Sequence, residues 1–219
     1  MNHQRRELIF SIFQHLLAVL GPQNWWPAET AFEVIVGAIL TQNTAWKNVE
    51  KSIANLRSHG LLTFDSLCHA PIAELAPVLR PSGYYNQKSR KIKAFCDVIE
   101  ERWQGDLALF LSQDMNLLRS ELLSVSGIGP ETADSIILYA AAQPSFVVDT
   151  YTHRIFMRHG WVADNISYED LREYFMSCLA PDLKFFQELH ALLVRTGHLF
   201  CRRKPLCVSC PLSGWNGAG

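Results

Sequence analysis

The chain has 219 residues, 20 Lys and Arg against 21 Asp and Glu, a net charge of −1, and 48% apolar residues. With only 19% of residues charged, extended disorder is excluded. The near-neutral balance also excludes a broad nucleic-acid-binding surface, so any basic footprint has to be local. Helical periodicity then runs along almost the whole sequence. Residues 5–19 place Leu8, Ile9, Ile12, Phe13, Leu16 and Leu17 at helical spacing, and Gly21-Pro22 stop that helix. Residues 30–40 and 44–57 predict two more helices around a polar turn at Thr41 to Thr44. Short helices fit 64–69 and 72–79, Arg80-Pro81-Ser82-Gly83 reads as a loop, and 84–103 as a long helix. Further helices fit 115–123, 130–142, 149–158, 167–178 and 183–199. No stretch alternates as a strand does, so the expectation is an all-α protein.

The first residues, MNHQRRELIF, lack a signal-peptide layout, and no apolar run approaches membrane-spanning length. The expectation is a soluble, cytoplasmic protein. Six cysteines in that compartment argue against a disulfide framework. Cys68, Cys96 and Cys178 sit singly in apolar helical surroundings and read as core residues. Cys201, Cys207 and Cys210 cluster at ligand-like spacing, and soft thiolates favour iron–sulfur or zinc.

The most informative segment is LLSVSGIGPETADSIILYA followed by FVVDTYTHRIF. The first piece reads as helix, Gly127-Ile128-Gly129 turn, helix. Glycines permit a tight turn and close backbone approach, and Pro130 suits the first helical position. Such a turn aims free N–H groups and the positive end of a helix dipole outward, which is how a chain holds a phosphate. Asp149 follows Val147 and Val148 and opens a new helix. It reads either as an ordinary N-cap or as a fixed carboxylate facing developing positive charge. Both basic clusters, Lys88, Arg90, Lys91 and Lys93, and Arg202, Arg203 and Lys204, read as DNA-facing or as solvated helix faces.

GIGPETA followed by VVDT resembles the helix–hairpin–helix and catalytic aspartate of the endonuclease III superfamily of DNA glycosylases. FEVIVGAILTQNT resembles that family's early helix and glutamine-bearing turn, GYYNQKSRKI its Tyr-Asn-x-Lys helix start, and CRRKPLCVSC its C-terminal iron–sulfur motif. The resemblance implies two lobes with the active cleft between them. One spans residues 22–143; the other joins 1–21 to 144–219. It implies that Asp149 is catalytic, that Gln42 fills the gap left when a nucleotide flips out, and that Asn43, Gly127, Gly129 and Lys88 contact DNA. Members that cleave the strand carry a lysine where this chain has Glu131, and a carboxylate cannot form the imine that lyase chemistry needs.

Trp25-Trp26-Pro27, LTQNTAW ending in Trp46, and RPSGYYNQK are similar to the MagIII-type 3-methyladenine DNA glycosylases, which also carry glutamate at the lyase-lysine position. That resemblance implies a base pocket of Trp25, Trp26 and Trp46, where indole faces attract a cationic alkylated purine; the residues alone read equally as core filler. The expected function is monofunctional base excision from double-stranded DNA by a monomer associated with the nucleoid. Two alternatives stay open: a bifunctional glycosylase/lyase on oxidised pyrimidines, and a non-catalytic helix–hairpin–helix DNA-binding protein. The family's motif also implies a [4Fe-4S] cluster on Cys201, Cys207 and Cys210. Its fourth cysteine position here is Asn216, with His198 a candidate nitrogen donor. The remaining readings are another metal or a degenerate site held by packing.

Overall fold

A computed structural model describes residues 2–215. Among them no strand occurs, and twelve α-helices follow in order: α1 Asn2–Leu20, α2 Ala31–Leu40, α3 Trp46–Ser58, α4 Phe64–His69, α5 Ile72–Val78, α6 Tyr85–Trp103, α7 Leu107–Leu111, α8 Met115–Ser124, α9 Pro130–Tyr139, α10 Thr150–Arg158, α11 Tyr168–Met176 and α12 Leu183–Leu199. The helix starts are written in short polar side chains. Thr30, Thr63, Asp106, Asp114, Asp149, Ser167 and Asp182 each accept a first-turn backbone N–H. The Asp106 cap, whose carboxylate accepts from Leu109 N at 2.8 Å, starts the one helix that periodicity missed, the five-residue α7. The expected loop at residues 80–83 contains a 3₁₀ turn, Arg80–Ser82.

The chain divides into two compact units, Met1–Pro27 with Pro144–Gly219, and Ala28–Gln143. Residues 22–27, expected with the central segment, group with the terminal one.

Within the central unit, α2 is apolar except for Glu33, and its residues Phe32 to Leu40 are all buried, which makes it a core helix. It packs against α9, buried from Thr132 to Leu138, and α9 packs in turn on α8. Two buried carboxylates of this core are paired with arginines, Arg57 exposed and Arg119 largely buried. Glu33 is 6% exposed and takes both of its oxygens to Arg57 at 3.0 Å. Asp134 is wholly buried in α9 and accepts a fork from Arg119 of α8, at 3.0 and 3.1 Å. Cys68 and Cys96, expected as separate core thiols, form a disulfide between α4 and α6, with Cα atoms 5.4 Å apart. The packing of α4 on α6 brings them together across 28 residues, a proximity that spacing along the chain does not reveal.

The terminal unit packs α1 and α10 against α12. Its core is aromatic: Phe146 stacks on Phe175 at 4.0 Å, and Phe156 meets Phe175 edge-on at 4.8 Å. Gly197 sets how closely α12 approaches α10, because a Cβ there would sit 2.4 Å from the Tyr151 ring. Cys178 is half-buried just beyond α11.

Candidate active site and nucleic-acid interface

In the terminal unit, the extended pair Val147-Val148 is buried and delivers Asp149 to the start of α10. Asp149 Oδ1 accepts from Thr152 N at 2.7 Å, so the residue is an N-cap. The cap holds the carboxylate in one orientation at the positive end of the helix, where negative charge is favoured. His190 of α12 is 5% exposed and faces Asp149 electrostatically. Burial pushes its imidazole below the usual histidine range, and the Asp149 charge opposes that shift. Thr152 places a fully buried hydroxyl one turn below the cap. These groups share one neighbourhood, which sequence reasoning had reduced to Asp149 alone.

Trp25 and Trp26 belong to the same unit, with ring centroids 5.3 Å apart. Both are half-buried. Trp25 lines a groove of about 790 Å³ together with Phe13, Leu17 and Phe185, and Glu188 and Lys184 stand beside it.

The three clustered cysteines lie at the end of this unit. Cys201 is buried, Cys210 half-buried and Cys207 exposed. Burial raises the Cys210 thiol, against a backbone hydrogen bond at Leu212 that lowers it, and Cys201 and Cys207 are near enough to add to the rise. No three metal-ligating side chains among the described residues converge on a point that would hold a single ion, and His198 joins no such group. A cubane differs in taking one thiolate at each iron, and four in all; the described chain offers three, and Asn216, at the family's fourth position, lies outside the described residues. The loop is held by two arginines from one face of α10. Arg154 Nε donates to the Cys201 carbonyl at 2.6 Å; Arg158 donates to the carbonyls of Arg202 and Arg203 at 2.7 and 3.2 Å. Their spacing of one helical turn was the sequence signal for a shared partner. Arg202, Arg203 and Lys204 themselves are exposed.

The central unit holds the hairpin. Gly127 has φ +88°, so the backbone favours glycine, and a Cβ there, 2.6 Å from the Lys91 side chain, would have to displace that stem. Ile128 is buried and pins the turn. Gly129 caps α9 in extended conformation with open space around its Cα, and Pro130 follows at the first helical position. Glu131 is exposed in the first turn of α9.

Gln42 and Asn43 form the α2–α3 turn, with Asn43 exposed at φ +54°. Trp46 opens α3, half-buried, its indole N–H donating to Glu50 at 2.9 Å. Lys88, expected among the DNA-facing cations, is 2% exposed and donates to the Ser82 carbonyl at 2.6 Å. Burial first, and then Lys91, lower its pKa to about 8. Lys93 is likewise spent on the carbonyls of Cys68 and Ala70. Of that cluster Arg90 alone is exposed. An aromatic stands out instead: Tyr84, 67% exposed and left-handed at φ +46°, at the start of α6.

Residues 36–181 match the family described as HhH-GPD superfamily base excision DNA repair protein. A provisionally named DNA repair glycosylase of Methanocaldococcus jannaschii is 44% identical over 97% of each chain. Endonuclease III of Sulfolobus acidocaldarius is 33% identical over 82% of this chain and 78% of its own. Among solved structures, the 3-methyladenine DNA glycosylase MagIII of H. pylori, bound to 1,N6-ethenoadenine, superposes with a TM-score of 0.76 at 26% identity, covering 87% of this chain and 97% of that one. An endonuclease III–DNA complex gives 0.79 at 22% identity over 94% and 92% of the two chains, a likeness of fold. The chain belongs to the HhH-GPD superfamily of base excision DNA repair proteins, as one of its DNA glycosylases.

Proposed function

We propose that the protein is a monofunctional glycosylase that removes alkylated purines, such as 3-methyladenine, from double-stranded DNA by hydrolysis. The observation that carries this reading is Glu131. It stands exposed in the first turn of α9, at the position where lyase-active relatives carry their nucleophilic lysine. Without that amine the attacking nucleophile is water. The bond from the sugar to the base breaks with its electron pair going to the base, and water oxygen bonds to the sugar carbon. A purine alkylated at N3 or N7 is already cationic, so it leaves as a neutral base with no acid to protonate it. Asp149, oriented by its cap, lies opposite the positive charge developing on the sugar and takes up the proton of the water. Trp25, Trp26 and Trp46 each carry an indole face of the kind that attracts a cationic base. The hairpin from Gly127 to Pro130 grips a backbone phosphate, and Tyr84 offers a ring to stack on a base. The solved relative of 26% identity, a 3-methyladenine glycosylase holding an etheno-purine, supports this choice of substrate. The protein acts as a monomer, and no helix among the described residues is long and apolar enough to cross a membrane.

The test is incubation of purified protein with methylated duplex DNA, followed by identification of the released bases. Free alkylated purines and intact abasic strands are expected, with no covalent adduct on borohydride treatment. Borohydride trapping on DNA containing oxidised pyrimidines, with strand cleavage, would overturn the assignment.

Within the same reading, Cys201, Cys207 and Cys210 hold an iron–sulfur cluster whose role is to shape the Arg202–Lys204 loop against DNA; no chemical step passes through it. Protein purified without oxygen is expected to contain iron and acid-labile sulfide, and to lose both on Cys207→Ser. Active, colourless protein free of iron would show that the grip of Arg154 and Arg158 on the backbone suffices for the loop.

A further inference from the structure

The Gln42 side-chain amide is hydrogen-bonded at both ends, and every partner belongs to the central unit itself. Its Nε2 donates to the Gly127 carbonyl at 3.1 Å and to Thr132 Oγ1 at 3.0 Å. Its Oε1 accepts from Lys91 Nζ. The three partners come from the hairpin, α9 and α6, yet Gln42 remains partly exposed. An ammonium only donates, so Lys91 dictates which end of the amide is oxygen and which is nitrogen. The Lys91 stem lies against Gly127, where a Cβ would come within 2.6 Å of its Cγ. That close approach gives Lys91 one path from α6 to Gln42, and it ties the hairpin and the Gln42 turn into one piece.

We propose that Lys91 is a positioning residue: it fixes the orientation of the Gln42 amide on the surface of the DNA-free protein, so that Gln42 meets a vacated duplex position already ordered. This rests on the reading of Gln42 as the residue that enters that position. Ordering in advance removes the entropy cost of immobilising a long polar side chain on binding.

Lys91→Met keeps the stem against Gly127 and removes the ammonium; thermal unfolding establishes that the variant is folded. The first measurement needs no DNA. In nuclear magnetic resonance spectra the side-chain amide protons of Gln42, assigned by their loss in Gln42→Ala, are expected to be shifted and slowly exchanging. In Lys91→Met they should collapse to the position of a solvated glutamine. Unchanged resonances would overturn the positioning role, whatever the protein does on DNA.

The second measurement compares binding to a duplex carrying an abasic-site analogue with binding to the same duplex undamaged. Lys91→Met is expected to weaken the first by about 3- to 10-fold and the second far less. Lys91→Arg should restore most of the loss, and in a Gln42→Ala background Lys91→Met should have no further effect. Equal losses on both duplexes, with the salt slope reduced by about one, would instead make Lys91 an ordinary phosphate contact. Shifted amide protons in a protein that releases no base would retain the anchoring and reject the glycosylase reading of the substrate.

Discussion

Asp149→Asn is expected to lower base release from methylated DNA by about a hundredfold or more, the usual cost of removing a group aimed at transition-state charge. The substitution separates the two duties of this side chain. An amide oxygen still accepts from Thr152 N, at the place where Asp149 Oδ1 does so at 2.7 Å, so the start of α10 and the stability of the fold should survive. What is lost is the negative charge that the proposed mechanism sets against the sugar. Single-turnover release of base, measured beside affinity for the abasic-analogue duplex, reads the two effects apart. The expected pattern is a collapse in rate with affinity within a few-fold of wild type. A rate within a few-fold of wild type would remove the carboxylate from the mechanism and leave Asp149 as a cap only.

Asp134→Ala or Arg119→Met is expected to destabilise the protein by ~3–5 kcal/mol, because each takes the opposite charge away from a buried ion. Asp134 is fully buried on α9, and the Arg119 side chain is only 17% exposed. Both prongs of the guanidinium are used on the carboxylate. At this chain length the change corresponds to a fall in melting temperature of about 10 °C or more. Removing both partners together, as Asp134→Leu with Arg119→Met, should cost less than either single change. Additive losses would mean that the two charges are solvated independently and that the fork contributes nothing. The pair joins the helices on either side of the Gly127–Gly129 turn, so phosphate binding should weaken with it.

The order of helices was legible because apolar residues repeat at helical spacing, and because caps such as Thr30, Ser167 and Asp182 stand where the repeats begin. Leu107–Leu111 escaped because five residues are too few to show a period; its start depends on the Asp106 cap. The hairpin was legible for a different reason: Gly127 and Pro130 are demanded by backbone geometry, which leaves a trace in residue type. Lys88 was misjudged because a cation in a basic run does not announce which face of α6 it occupies. That face turns inward onto the Ser82 carbonyl. The Cys68–Cys96 bond, the anchoring of Gln42 and the nearness of His190 to Asp149 share one obstacle. Each depends on helices distant in sequence meeting in space, and no local pattern encodes that meeting.

The two ends of α10 do unlike work, and the helix between them is short. At nine residues it is about 14 Å long, a stiff rod. Its first residue is set by the Asp149 carboxylate, while Arg154 and Arg158 further along grasp the backbone of the cysteine loop. A rod clamped near one end cannot shift at the other without breaking those grips. The loop therefore acts as ballast for the Asp149 carboxylate, and under the proposed mechanism changes at Arg154 or Arg158 are expected to lower turnover although neither side chain need ever touch the sugar.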